Sequence, residues 1–455
     1  MGRKRVVLLA DAAFILGAVI QAVTSSVWGM IAGRSIVGLA VGAGSFVAPL
    51  YIAELSPSPF RGRLVTLNVL FITLGQVVAY IMGWLFVKYG NEATGWRWMV
   101  GLGAVPAAAQ CLVMLVMPET PRWLVMVGRE DEARETINKV FGAGIGVKGM
   151  VERVLKGIEQ EVREEEEAKR GRMRGQSKKD AKSWSSGAKD NWAELLRIPG
   201  NRRALTIACL LQGLQQLCGF VSSPLPYASI SCPNTKQNSL MYFSATIFTL
   251  MGFASPTLTS LTIAITNFVT TCLALVLIDR IGRRRILLYT IPIMTLGLLL
   301  CSCGFLFIDL PSDLNATNPS STATAHTSVP LSQRTAPLLV LVSLMVYVGA
   351  YALGLGNVPW MQSELFPLSV RSLGSGLSTS TNWGANFVVG LTFLPMMQWL
   401  TPAWTFVVYA VVCVGGWVAI WCIYPETKGL SLEGTGALLA DGWGVKASIR
   451  RASEV

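Results

Sequence analysis

The chain has 455 residues, of which 52% are hydrophobic and only 14% charged, with a single histidine and a mean hydropathy of +0.50. Soluble domains carry about a quarter charged residues, so a globular enzyme and a disordered chain are both excluded. The net charge of +12 comes from basic residues in short loops between apolar runs, a pattern of membrane orientation rather than of nucleic-acid binding.

Span-length apolar runs occupy 6–24, 28–50, 64–87 and 96–117. Met1 is followed at once by Arg3, Lys4 and Arg5, without the small-residue site of a cleavable signal. A polar stretch at 124–202, with EEEE at 164–167 and a Lys/Ser/Gly-rich tract at 169–190, reads as a solvated linker with some helix. The apolar region 203–254 is broken by a polar insert and counts as one span. Further runs follow at 256–278, 286–307, 336–359, 372–395 and 402–424. Ten helices result, and only helices satisfy the backbone in hydrocarbon, so the fold class is an all-α polytopic membrane bundle.

The lysines and arginines orient it. With residues 1–5 in the cytoplasm, Arg61, Arg63, Arg280, Arg283, Arg284, Arg285 and Arg371 all fall inside. Lys88, Arg97 and Arg334 fall outside, so both termini are expected in the cytoplasm. The outer loop 308–335 carries the sequon Asn315-Ala-Thr317, a glycosylation candidate. Nine cysteines and one histidine form no metal pattern, and Cys301 and Cys303 lie within an apolar run. Neither metal nor cofactor is expected, and no phosphate-binding G-x-x-x-x-G-K-[ST] loop exists for a pump driven by ATP.

Three landmarks occur twice in the same order. GRKR at 2–5 matches GRRR at 282–285, Glu54 with Arg61 matches Glu364 with Arg371, and PETPRW at 118–123 matches PETKG at 425–429. The Glu-to-PET separations are 118 − 54 = 64 and 425 − 364 = 61. Two parallel repeats suit a transporter that rocks two similar halves about a central site. They divide the chain into an N-terminal bundle (1–123), a cytoplasmic linker (124–202), a C-terminal bundle (203–428) and a tail (429–455).

Taken with DRIGRRR, LYIAELSPSPFRG, LQQLCG and PETKGLSLE, these landmarks make the chain resemble a sugar porter of the major facilitator superfamily. GNVPWMQSELFP at 356–367 and RGRLVTLNVLFITLGQ at 61–76 most resemble fungal myo-inositol transporters. The resemblance implies a two-bundle fold whose first two of twelve helices have no counterpart ahead of GRKR. It also implies a secondary transporter of myo-inositol or a related polyol or hexose, by proton symport, in the plasma membrane.

A polyol is a ring of hydroxyls, bound by amides and indoles in an otherwise apolar setting. Gln76, Gln215, Gln216, Asn238, Tyr242, Asn382, Trp383 and Asn386 lie within the spans, although such amides also serve simply to join helices. The resemblance assigns Gln215 and Gln216 to the seventh-helix sugar-binding pair and Asn238 and Tyr242 to its following Asn-x-x-x-Tyr. It also implies binding roles for Gln76, for Asn382 with Trp383, and for Trp360. Arg3, Glu54, Arg61, Asp279, Arg283, Glu364 and Arg371 sit at cytoplasmic helix ends. The resemblance makes them a gating network of ion pairs, and the alternative is topogenic charge alone. Arg34 is intramembrane and demands a carboxylate partner, which the resemblance places on the absent first helix. Asp11 is expected at the interface rather than as a proton site.

Two rival readings are a non-transporting nutrient sensor on the same fold and the inactive product of a defective gene model. The insert, residues 221–237 (VSSPLPYASISCPNTKQ), bears on the second. Its three prolines suit no lipid-exposed helix. Valine codons begin GT and one glutamine codon ends AG, and 17 × 3 = 51 nucleotides keep the frame, so the insert reads as a retained intron.

Overall fold

The computed structural model describes residues 2–56, 61–89, 94–141, 147–173, 192–218, 256–307, 331–367, 370–428, 438–440 and 442–452. Four apolar runs become α1 (Arg3–Val23), α2 (Val27–Leu55), α3 (Arg61–Tyr89), and the pair α4 (Gly95–Leu102) and α5 (Ala104–Val116). Pro106 explains why the fourth run splits, because it has no N–H for the carbonyl of Leu102. Three helices follow outside the bundle: α6 (Pro121–Met126), α7 (Glu130–Phe141) and α8 (Val147–Met173). They close on Leu124, Ala133, Ile137, Val151 and Leu155, an apolar seam within the otherwise charged linker.

The second half comprises α9 (Pro199–Leu217), α10 (Pro256–Ile281), α11 (Arg283–Leu306), α12 (Leu331–Leu353), α13 (Arg371–Trp399) and α14 (Thr401–Ile423). A short helix α15 (Val445–Ala452) ends the described chain. After α12 the sequence GLGNVP interrupts the ladder, and a 3-10 helix occupies Val358–Leu365. Glycines and a proline remove the constraints and the donor that a continuous helix needs.

Within the first half α1 packs against α2, α4 and α5. Within the second, α11 packs against α12 and α14, and α9 against α13. The main core belongs to the second half and is built from Ile207, Leu211, Leu287, Ile291, Met294 and Leu298. The outer surface is apolar: Val116 is 89% exposed, Trp399 85% and Trp28 81%. Such side chains suit lipid rather than water. Trp28, Trp399 and Trp404 ring the end opposite the GRKR and GRRR loops, as an interfacial aromatic belt does.

Eight helical segments among the described residues are long and apolar enough to cross a membrane. The sequence reading counts ten. The difference falls on α9 and α13, whose polar residues include Gln212, Gln215, Gln216, Asn382 and Asn386. The two helices that do not qualify carry four of the candidate amides, Gln215, Gln216, Asn382 and Asn386.

Candidate functional site

The repeat reappears as two equivalent clamps at the basic end of the bundle. Gly2 and Gly282 each precede a helix, and the glutamate of each PET sequence lies against that glycine. In the second copy Glu426 accepts from the backbone N–H of Arg283 (2.9 Å), Arg284 (3.2 Å) and Arg285 (3.4 Å), the unpaired donors of the first turn of α11. It also accepts from Thr427 (3.1 Å) and Lys428 (3.2 Å). A carboxylate at a helix N-terminus is further favoured by the helix dipole. Gly282 has φ of 100°, and a Cβ there would lie 2.6 Å from the Glu426 carboxylate, so only glycine fits.

In the first copy Glu119 accepts from the backbone N–H of Lys4 and Thr120, both at 3.1 Å. Lys4 and Arg284 occupy the same repeat position and act alike. The Lys4 ammonium donates to Leu115 O at the end of α5 (2.9 Å). The Arg284 guanidinium donates to Ile420 O (3.1 Å), Trp421 O (2.7 Å) and Tyr424 O at the end of α14. Of the expected gating residues, Arg3 and Glu54 join at 2.8 Å, a pair within the first half rather than across the halves. Arg371 donates to Phe366 O at 3.3 Å, and Arg283 is buried. The side chains of Arg61, Asp279 and Glu364 lie outside the described residues.

The amides meet in the interior of the second half. Gln215 and Gln216 are buried at the end of α9, facing Asn382 and Asn386 on α13. Asn382 Nδ2 donates to Gln215 Oε1 at 2.6 Å, and Asn382 Oδ1 accepts from Gln216 Nε2 at 3.2 Å. Asn386 Nδ2 donates to Gln216 Oε1 at 2.9 Å. Gln215 Nε2 reaches Leu355 O (2.9 Å) and Gly356 O (3.1 Å), carbonyls freed where α12 breaks. This is a row of neutral donors and acceptors without a charge, the chemistry that hydroxyls require.

Hydrogen bonds also cross between the halves. Gln76 on α3 accepts from Asn267 Nδ2 on α10 at 3.1 Å, and the Trp383 indole donates to Ser45 Oγ on α2 at 3.1 Å. Of the sequence-predicted binding residues, Gln215, Gln216, Asn382 and Asn386 are therefore brought together. Gln76 and Trp383 lie on the seam between halves, and half-buried Trp360 belongs to the 3-10 helix beside it. Asn238, Tyr242, the insert 221–237 and the sequon Asn315 lie outside the described residues. Arg34 is half-buried on α2.

The structure adds residues that sequence reasoning passed over. Gln212, fully buried one turn before Gln216, donates to Pro359 O at 3.0 Å and leaves its Oε1 without a partner. Asn357 Oδ1 and Gln362 Oε1 are buried acceptors in the same state. Helical spacing from Gln216 would have revealed Gln212, and the rule for intramembrane amides would have revealed Asn267. The packing of Asp11 was likewise not anticipated: it is buried, at 7% exposure. A cleft of about 500 Å³ lies elsewhere, at the basic end among Lys4, Arg5, Glu119, Trp123 and Lys139.

The family model for sugar (and other) transporters matches residues 1–439. The chain belongs to this family. It is accordingly a multi-pass membrane transporter of the sugar and polyol class, not an enzyme. Myo-inositol transporter 1 of Cryptococcus neoformans var. grubii serotype A is 40% identical over 451 residues, 98% of this sugar transporter and 71% of that protein. The Myo-inositol transporter 1 proteins of Candida albicans and Saccharomyces cerevisiae are each 37% identical, covering 74% and 69% of their own lengths. The fold is that of the major facilitator superfamily. The xylose transporter XylE, solved with 6-bromo-6-deoxy-D-glucose, superposes with a TM-score of 0.71 at 22% identity, over 96% of this chain and 83% of that one.

Proposed function

We propose that this sugar transporter carries myo-inositol, or a closely related polyol or hexose, by alternating access in symport with protons. The observation that carries the reading is the buried row Gln215, Gln216, Asn382 and Asn386, uncharged and rich in both donors and acceptors. Relatives named as myo-inositol transporters support the substrate class. Gln76, Trp360 and Trp383 complete the binding set from the seam. Arg3, Arg34, Glu54, Arg61, Asp279, Arg283, Glu364 and Arg371 form its charge network, with Arg34 paired inside the membrane.

The same reading counts ten spans by adding α9 and α13 to the eight apolar ones, and equates α1 with the family's third helix. It keeps the division at 1–123, 124–202, 203–428 and 429–455. Both termini lie in the cytoplasm and the protein resides in the plasma membrane, in keeping with the basic loops at one end and the tryptophan belt at the other.

The test is uptake of labelled myo-inositol by cells lacking their own inositol transport and expressing this chain, with unlabelled polyols and hexoses as competitors. Saturable uptake displaced by myo-inositol is expected. Expressed, membrane-inserted protein without uptake would refute the transport reading for this chain.

A further inference from the structure

Asp11 lies eight residues into α1, about 12 Å along the axis from Arg3. It shares a helical face with Val7 and Ala18, all three buried. That face packs against α2 and α5, where Val7 joins Val47, Tyr51 and Met114 in a local apolar cluster. Asp11 is 7% exposed, and its Oδ2 is buried without a hydrogen-bond partner.

The charged and titratable groups on the packed elements are all placed elsewhere. On α2, Glu54 is taken by Arg3 at the basic end, and Tyr51 donates to Pro118 O (2.7 Å). Arg34 follows Gly33, and Gly33 sits against Gln21. Gln21 is 21 − 11 = 10 residues from Asp11, a rise of about 15 Å. On α4, Arg97 stacks over Trp96 beyond the far end of α1. On α5 the one titratable side chain is Cys111, half-buried. No cation among these is placed to offset a carboxylate at Asp11.

An ionised carboxylate in that setting would be desolvated on one oxygen with nothing to replace the water. We propose that Asp11 is a proton-binding site of the first half. Its Oδ2 takes a proton from water, forming a neutral acid in this conformation. It returns that proton to water in the conformation of the transport cycle that opens the group to solvent. The inference rests on the proton-symport reading and names the residue that binds the proton.

The test uses the full chain reconstituted in lipid vesicles. Infrared spectra at neutral pH should contain the carbonyl stretch of a protonated carboxylic acid, lost in Asp11→Asn and displaced in Asp11→Glu. Asp11→Asn, the isostere of the neutral acid, should retain inositol counterflow and lose accumulation driven by a pH gradient. A band that persists in Asp11→Asn and does not move in Asp11→Glu overturns the assignment, as does normal accumulation by the Asn variant. If wild-type protein shows no accumulation under a pH gradient while the band is lost in Asp11→Asn, symport fails and Asp11 stands as the protonated group.

Discussion

Replacing Glu426 by alanine removes the acceptor shared by three buried donors, Arg283 N, Arg284 N and Thr427 N, and by two further, partly buried backbone groups. Leaving a buried donor unsatisfied costs about 1–3 kcal/mol, so the three buried ones together cost about 3–9 kcal/mol. The equivalent Glu119→Ala change strips only two partly buried donors, which water can reach. Its cost should be that of an ordinary lost cap, about 0.5–2 kcal/mol. Thermal unfolding of the purified chain in detergent should therefore rank Glu426→Ala as the least stable, with Glu119→Ala nearer wild type. Glu426→Gln should fall between them, since it retains one carbonyl acceptor but loses the charge. Equal melting shifts for the two alanine variants would show that burial of the second clamp contributes nothing.

Gln215→Ala or Asn382→Ala should raise the apparent KM for myo-inositol by about 5- to 150-fold, the equivalent of about 1–3 kcal/mol. The double variant should cost less than the sum, because the two side chains bond each other at 2.6 Å. Arg3→Glu should slow transport through repulsion from Glu54, and adding Glu54→Arg should restore much of the rate if the pair acts as a gate. Sequencing of the mature transcript should find most messages without the 51 nucleotides that encode residues 221–237. Messages that retain them would make the segment part of the working protein.

The spans were legible because long apolar runs have one structural outcome in lipid. Their interruptions were less so. Pro106 ended α4 through a missing donor, and GLGNVP turned the end of α12 into a 3-10 helix, where counting apolar residues sees one continuous run. Gln215, Gln216, Asn382 and Asn386 could be named because amides within spans are rare. That Asn382 bridges both glutamines is a long-range fact, set by how α9 packs on α13. Glu119 and Glu426 were visible only as repeat landmarks. Their partners are backbone N–H groups, which every residue possesses and no sequence pattern marks. The burial of Asp11 was not legible, because it depends on how α1 packs against α2 and α5.

The distribution of these bonds also says which contacts part when the transporter changes state. Within the second half, five bonds converge on the Glu426 carboxylate, and bonds to a charged acceptor contribute about 1.5–3 kcal/mol each. The α9–α13 amides add a second set in the same half. The seam between halves holds the neutral bonds Gln76–Asn267 and Trp383–Ser45, each worth about 0.5–1.5 kcal/mol. A motion that opened the Glu426 clamp would cost several times more than one that parted these two seam bonds. The halves should therefore move as units, with α3 sliding on α10 and α2 on α13, while the helix-start clamps persist. Gln76 and Trp383 lose their partners in that motion, so they are the side chains whose donors and acceptors become available to a polyol as the seam opens.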